Sequence, residues 1–482
     1  MSVTRRGVLG GLVAGAALPA WAEDIRPMPR PAKAAVAAVP VSGAGDLVAA
    51  ARLGGITGYI VADAKTGRVL EQVNADAPVP PASVAKTITS LFALEKLGGD
   101  HRFTTRVMAV GSVRGKRLTG DLVLAGGGDP TLDSDKLGDL VAALAATGLR
   151  EVTGRFLAYA GALPNFDRIT DEQPIQVGYD PGLSGLSLNF NRVNFEWTKG
   201  GATTQMNARG ERYVPVVKMA TMALADRTAP LFSYQKRAGV EDWSVARGAL
   251  GRAGSRWLPV RQVAPYVAEV FQTLCAAQGI ALPRAQVAQD LPAGAVELVS
   301  RQSDDLASIL RVMLRFSTNI TAETVGLAAS GAGSLPASAA MMASWAQARL
   351  GLAANFVDHS GLGSASRVSA AGMMRALMAG DKAGLRGILR DVGLRDDQGR
   401  VVKGAATKVI GKSGTLNFVS GLAGFIEPVG GQDLCFAIFS ADPARREAVP
   451  MAEREAPAGE NAWVGRAHLL QARLIARWAA MV

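Results

Sequence analysis

The sequence predicts an α/β (α+β) protein interrupted by a long β-rich insertion, on three observations. First, a β-hairpin pattern runs straight into a helix. Gly58 to Asp63 alternates, Ala64-Lys65-Thr66-Gly67 turns, and Arg68 to Val73 returns. After the breakers Pro78, Pro80 and Pro81, Val84 to Leu97 has helical period, with Ile88, Leu91, Leu94 and Leu97 on one side. Second, the same mixture recurs late in the chain. Asp304 to Phe316 and the stretch from Ala322 are helical; Thr407 to Ile410, Gly424 to Ile426 and Leu434 to Ser440 are β-type; a helix from about Asn461 to Met481 closes the chain. Third, the chain between these halves is longer than one such domain needs and is β-prone at Arg102 to Val110, Leu118 to Leu124, Gly154 to Tyr159 and Leu186 to Trp197. It turns at the glycine-rich Ala125 to Pro130 and becomes helical around Val260 to Gly279. The expected organisation is one domain from 45–103 and 297–482, with 104–296 inserted.

The N-terminus assigns a compartment. Arg5 and Arg6 precede a Gly/Ala-softened apolar run to Leu18, then Pro19 and the A-x-A site Ala20-Trp21-Ala22. Residues 1–22 therefore form an export signal of twin-arginine type, and the expected location is the periplasm. That run is too short and glycine-rich to span a bilayer. Residues 23–44, with Pro27, Pro29, Pro31 and Pro40 among alanines, make a linker.

Composition excludes several classes. The 482 residues are 49% hydrophobic and 19% charged, ordinary for packed domains. The formal charge of +11 comes without a Lys/Arg-rich run or nucleic-acid motif, so no nucleic-acid partner is expected. No later segment is apolar enough to be transmembrane. The last helix has an apolar stripe (Trp463, Ala467, Leu470, Leu474, Trp478, Met481) beside Arg466, Arg473 and Arg477, which allows peripheral membrane contact at most. Cys275 and Cys435 sit in apolar stretches as free thiols, and His101, His359 and His468 lack ligand spacing. Neither a metal nor a cofactor is expected.

Three short motifs carry the chemistry: Ser83-Val84-Ala85-Lys86, Ser317-Thr318-Asn319 and Lys412-Ser413-Gly414-Thr415. A serine entering a helix meets free N–H groups and the positive end of the dipole, and Lys86 lies on the same helix face. Ser83 needs a base to become a nucleophile. Lys86 serves if burial and a second cation, Lys412, destabilise its ammonium. The Ser317 hydroxyl can relay a proton and the Asn319 amide can orient Lys86. Lys412, Ser413 and Thr415 suit a substrate carboxylate, Gly414 lets the strand approach the ligand, and the N–H groups of Ser83 and Thr415 suit an oxyanion. Gly411-Lys412-Ser413 also resembles the end of a phosphate loop, but Ala406 stands where its first glycine belongs.

In this order the motifs match S-x-x-K, S-x-N and K-[ST]-G of active-site-serine penicillin-binding proteins and β-lactamases. Over roughly 46 to 478 the chain resembles the D-alanyl-D-alanine carboxypeptidase/endopeptidase family, the class C low-molecular-mass penicillin-binding proteins. Thr119 to Leu122, Gly128 to Leu132, Leu186 to Asn191, Leu258 to Arg261, Ala322-Glu323 and Asp358 to Leu362 also carry the likeness. The resemblance implies a transpeptidase-like domain with an antiparallel sheet between helical layers, and an insert with a smaller domain nested near 128–200. It implies removal of the terminal D-alanine of peptidoglycan stem peptides through an acyl-enzyme on Ser83, D,D-endopeptidase cleavage of cross-links, and covalent β-lactam binding. Lys86 is then the base, Ser317 and Asn319 the relay, and Lys412, Ser413 and Thr415 the carboxylate site.

The chain departs from that pattern at Ser413 for threonine, His359 for glycine, and Ser364 where an arginine helps hold the substrate's diamino-acid side chain. Asp171, Glu172 and Asp180 are the candidates for that side chain's acidic partner. A β-lactamase or a non-catalytic wall-binding protein on the same fold are the alternatives.

Overall fold

The computed structural model describes residues 43–396 and 398–482. The export signal, and the linker up to Ser42, lie outside them.

The part of the chain outside the expected insertion is built on a six-stranded antiparallel sheet. Its order is Arg390–Asp391, Lys408–Leu416, Val419–Glu427, Leu434–Ala441, Ile56–Asp63 and Val69–Val73. The middle strands Val419–Glu427 and Leu434–Ala441 are buried almost throughout, because helices cover both faces. This explains their unalternating apolar runs, since a strand covered on both sides has no solvent face to mark.

One face packs on Ala85–Leu97, Leu306–Phe316, Leu335–Leu350 and Ala370–Asp381, sharing a core that includes Phe92, Leu310, Met342, Met373 and Phe439. The other packs on Ala44–Ala51 and the terminal helix Glu460–Ala479. Trp463, Ala467, Leu470, Leu474 and Trp478 of the terminal stripe are buried there, while Met481 is exposed. Both indoles also find polar partners: Trp463 donates to Leu53 O at 2.6 Å and Trp478 to Glu71 Oε2 at 2.9 Å. Burying each such side chain contributes roughly 1.5–3 kcal/mol. The stripe is thus core. Among the described residues no helix is long and apolar enough to cross a membrane.

A second six-stranded sheet is mixed. It joins Ala285–Ala288, Phe156–Tyr159, Arg117–Ala125, Thr104–Arg114 and Val296–Gln302, with Glu151–Val152 beside Arg117–Ala125. Helices Ser134–Ala146 and Val263–Ala277 share its core. Val296–Gln302 pairs antiparallel with Thr104–Arg114. We therefore propose that the insertion ends near Ser303, not at 297. There Ser303 N donates to Phe103 O at 2.8 Å and Phe103 N to Ser303 Oγ at 3.0 Å, tying the two crossing chains together.

Two three-stranded sheets lie between Arg192 and Pro259. We place the nested part there rather than near 128–200. The strand expected over Leu186 to Trp197 begins only at Arg192, because Asn189, Phe190 and Asn191 have φ of 51°, 57° and 52°. Asparagine tolerates this left-handed conformation by bonding locally. Asn191 Oδ1 does so, accepting from Leu188 N at 3.0 Å, while Asn189 Oδ1 is held from farther along the chain by Ser134 N at 3.0 Å. Cys275 and Cys435 are buried free thiols.

Candidate active site

Ser83 sits in a single 3₁₀ turn, Ala82–Val84, that leads into helix Ala85–Leu97. Two glycines hold this turn from outside. A Cβ on Gly361 (φ 75°) would lie 1.8 Å from Ala82 O, and one on Gly414 would lie 2.7 Å from Ser83 N. No real side chain fits at such distances, so the glycines let the Gly361 loop and the strand Lys408–Leu416 press against the serine.

Lys86 follows one helical step on and is wholly buried. Its Nζ donates to Ser83 Oγ at 2.9 Å, Asn319 Oδ1 at 2.8 Å and Ser360 O at 2.8 Å. All three acceptors are neutral. Burial therefore pushes Lys86 down to about 7, against an opposing pull from the Glu323 and Asp358 carboxylates.

Ser317 and Asn319 form the corner between helices Leu306–Phe316 and Asn319–Ser330. Ser317 closes the first helix in the left-handed conformation (φ 60°), as capping requires. Its hydroxyl accepts from Lys412 Nζ at 3.0 Å. The Asn319 amide has a partner at each end: Oδ1 takes Lys86, while Nδ2 donates to Tyr179 O at 2.9 Å. Lys412 is 1% exposed and lies well below the usual lysine range, chiefly by burial, then by the charges of Lys86 and Arg390.

The short strand Arg390–Asp391 pairs only with Gly411 and Ile410 of the third-motif strand. The outer edge from Lys412 onward has no partner strand among the described residues. Thr415 lines a cavity of roughly 280 Å³ together with Ser83, Ser317, Asn319 and Tyr179. Ser413 lines a different cavity, behind the strand, and its hydroxyl accepts from Arg390 Nη2 at 2.9 Å. The fold thus brings five of the expected residues together as two hydrogen-bonded groups, Ser83–Lys86–Asn319 and Ser317–Lys412, with Gly414 and Thr415 beside them and Ser413 turned to a further cation.

Several residues without an assigned role in the motifs complete the site. Glu323 is fully buried and accepts from His359 N and Ser360 N, the latter at 2.8 Å. Asp358 accepts from Gly361 N at 2.7 Å and Gly363 N at 2.6 Å. Together the two carboxylates fix the loop whose Ser360 carbonyl holds Lys86. Burial pushes Glu323 up to about 8, and the adjacent Asp358 adds to it. His359 is buried and held down to about 3, so its ring is neutral; Nε2 lies 2.6 Å from Ser338 Oγ. The run Asp358 to Leu362 and Glu323 were visible in the sequence; Tyr179 and Arg390 carried no signal there.

The acidic candidates of the insertion are placed unequally. Asp180 is completely buried against Arg168, at 2.6 Å. Asp171 is 96% exposed. Glu172 accepts from Ser364 N at 2.9 Å and faces Arg446 at 3.6 Å.

Comparison with known proteins agrees with this geometry. The family model "D-Ala-D-Ala carboxypeptidase 3 (S13) family" matches residues 45–459. A carboxypeptidase of Mycobacterium tuberculosis is 27% identical, covering 91% of this chain and 90% of its own. A D-alanyl-D-alanine carboxypeptidase of Actinomadura is 39% identical, but over 105 residues, 22% of this chain and 20% of that one. Penicillin binding protein 4 of Haemophilus influenzae has the same fold, with TM-score 0.71 at 18% identity, covering 90% of this chain and 99% of its own. With a family match over most of its length and the three motifs assembled around one serine, the chain belongs to the D-Ala-D-Ala carboxypeptidase 3 (S13) family.

Proposed function

We propose that the protein is a serine-type D-Ala-D-Ala carboxypeptidase acting on peptidoglycan stem peptides through an acyl-enzyme on Ser83. The observation that carries this reading is the contact between Ser83 Oγ and a buried Lys86 whose other partners are neutral. A lysine poised near neutrality is a base at working pH. In its neutral form Nζ takes the Ser83 proton as Oγ bonds to the carbonyl carbon of the penultimate D-alanine. The oxyanion is received by the N–H groups of Ser83 and Thr415. Collapse breaks the C–N bond; Lys86 returns the proton through the Ser317 hydroxyl, which also accepts from Lys412, to the departing D-alanine nitrogen, so Nζ is neutral again. Water then attacks the ester, Lys86 again accepts the proton, and Ser83 is released.

Lys412 and Thr415 hold the terminal carboxylate in this reading, with Ser413 beside them. Cross-links ending in the same D,D bond are a second substrate, and β-lactams, which present a carboxylate and a reactive carbonyl, acylate the same oxygen. The leader places the mature protein in the periplasm by the twin-arginine route.

The test is intact mass after incubation with benzylpenicillin, for wild type and Ser83→Ala. A single stable adduct on wild type, absent from the variant, is expected. Penicillin loss without a lasting adduct would instead mark a β-lactamase, and neither adduct nor loss would mark a binding protein.

A further inference from the structure

The cations of the site are not balanced. Among the described residues no carboxylate pairs with Lys412 or with Arg390, although Lys412 is buried and Arg390 half-buried. Cations brought together out of water repel, and the arrangement is costly unless an anion joins it. Arg390 is fixed in place by its strand pairing with Gly411, the residue before Lys412. Its Nη2 donates to Ser413 Oγ at 2.9 Å, while its Nε is buried without a hydrogen-bond partner. The cavity it lines, about 100 Å³, is formed by Val392, Val409, Leu422, His468 and Gln471 among others, with no acidic residue.

We propose that Arg390 is a positioning residue for the substrate's terminal carboxylate: through Ser413 and Gly411 it fixes the strand that carries Lys412 and Thr415, and it adds a positive charge behind Lys412. This rests on the acyl-transfer reading above and extends it to a residue outside the three motifs. The burial cost of the two cations is offset only when the anionic end of the substrate arrives, which favours substrates with a free C-terminal carboxylate over neutral ones.

The experiment compares two acyl donors sharing one N-acyl-D-alanyl group. In one the leaving thiol is thioglycolate, with a free carboxylate; in the other it is the methyl ester of thioglycolate, without charge. Wild type is expected to prefer the carboxylate donor in kcat/KM. Arg390→Gln is expected to reduce that preference by about tenfold, the scale of one charge-assisted hydrogen bond. The change is expected in KM more than in kcat, and Arg390→Lys is expected to recover part of it. Equal losses on both donors would make Arg390 a structural residue and overturn the proposal. So would an unchanged preference in Arg390→Gln. A wild type that turns over neither donor and takes no penicillin adduct overturns the acyl-transfer reading itself, and the proposal with it.

Discussion

Two clusters of buried charge lie on either side of the cleft, and they are built on opposite principles. In the insertion, Asp180 accepts from Arg168 Nε at 3.0 Å and Nη2 at 2.6 Å, from Ile169 N at 2.9 Å and from Thr170 N at 3.2 Å, with Arg261 at 3.9 Å. Arg261 in turn donates to the Ile175 carbonyl at 2.9 Å. Each charge there meets its opposite, and the knot fixes the segment that carries Tyr179. In the catalytic half, Lys86 meets only a hydroxyl, an amide oxygen and a carbonyl. Direct pairing locks a proton or charge in place; burial among neutral acceptors leaves the proton free to move. Asn319 joins the two regions, holding Lys86 with one end of its amide and the Tyr179 carbonyl with the other.

The sharpest way to break this comparison is to remove the cation. In Lys86→Met the chain keeps a similar length and loses its base. Acylation of Ser83 by penicillin is expected to fall by about 10² to 10⁴-fold, the range for a lost general base. Thermal stability is expected to hold or rise, because a buried amine with no carboxylate bonded to it has been replaced by an apolar group. Acylation kinetics and a melting curve on the same preparation check both halves. A variant that acylates at the wild-type rate would remove Lys86 from the mechanism.

The insertion knot is expected to respond in the other direction. Asp180→Ala leaves Arg168 and Arg261 without their shared anion and is expected to cost about 3–5 kcal/mol of stability, as a broken buried pair does. Urea unfolding measures it. Acylation is expected to weaken too, because the Tyr179 carbonyl follows Asp180 and Asn319 follows the carbonyl. A stable Asp180→Ala protein would mean that bonds this carboxylate does not make, such as Arg261 to the Ile175 carbonyl, hold the segment.

The same contrast explains what was legible in the sequence. Ser83, Lys86, Ser317, Asn319 and Lys412 could be assigned because each belongs to a short local pattern whose chemistry requires that residue type, and the sheet and helix corner bring them together. The hairpin before Ser83 and the helix after it were also legible, since their periods are local. Tyr179 could not be found, because it contributes a backbone carbonyl, which any residue possesses. Arg390 could not be found either. Its meaning comes from a strand pairing with Gly411, and nothing local marks a two-residue strand. The left-handed run Asn189 to Asn191 shows a third limit: its apolar neighbours have β character, but side-chain bonds from the two asparagines turn the backbone first. The proposed end of the insertion near 303 rests on the pairing of Val296–Gln302 with a strand far away in sequence.

The finest test of the comparison is the pH dependence of acylation. Lys86 is pushed down to about 7. The neutral amine is the active form, so the rate is expected to fall about tenfold per pH unit below that value and to level off above it. The direction follows from the cause: burial disfavours the charged form, lowering the pH at which the proton leaves, so the base is available at neutrality where an exposed lysine, near 10.4, would be almost wholly protonated. For stability the sign is the same. Between about 7 and about 10.4 the unfolded chain binds a proton at this lysine that the folded one does not, so Lys86 makes the fold more stable as pH rises through that window. Penicillin acylation rates from pH 5 to pH 9 give the limb directly. A limb that stays near 10 would mean that Lys86 carries its charge at neutrality, and the proton of Ser83 would then have to leave through Ser317, which already accepts from Lys412.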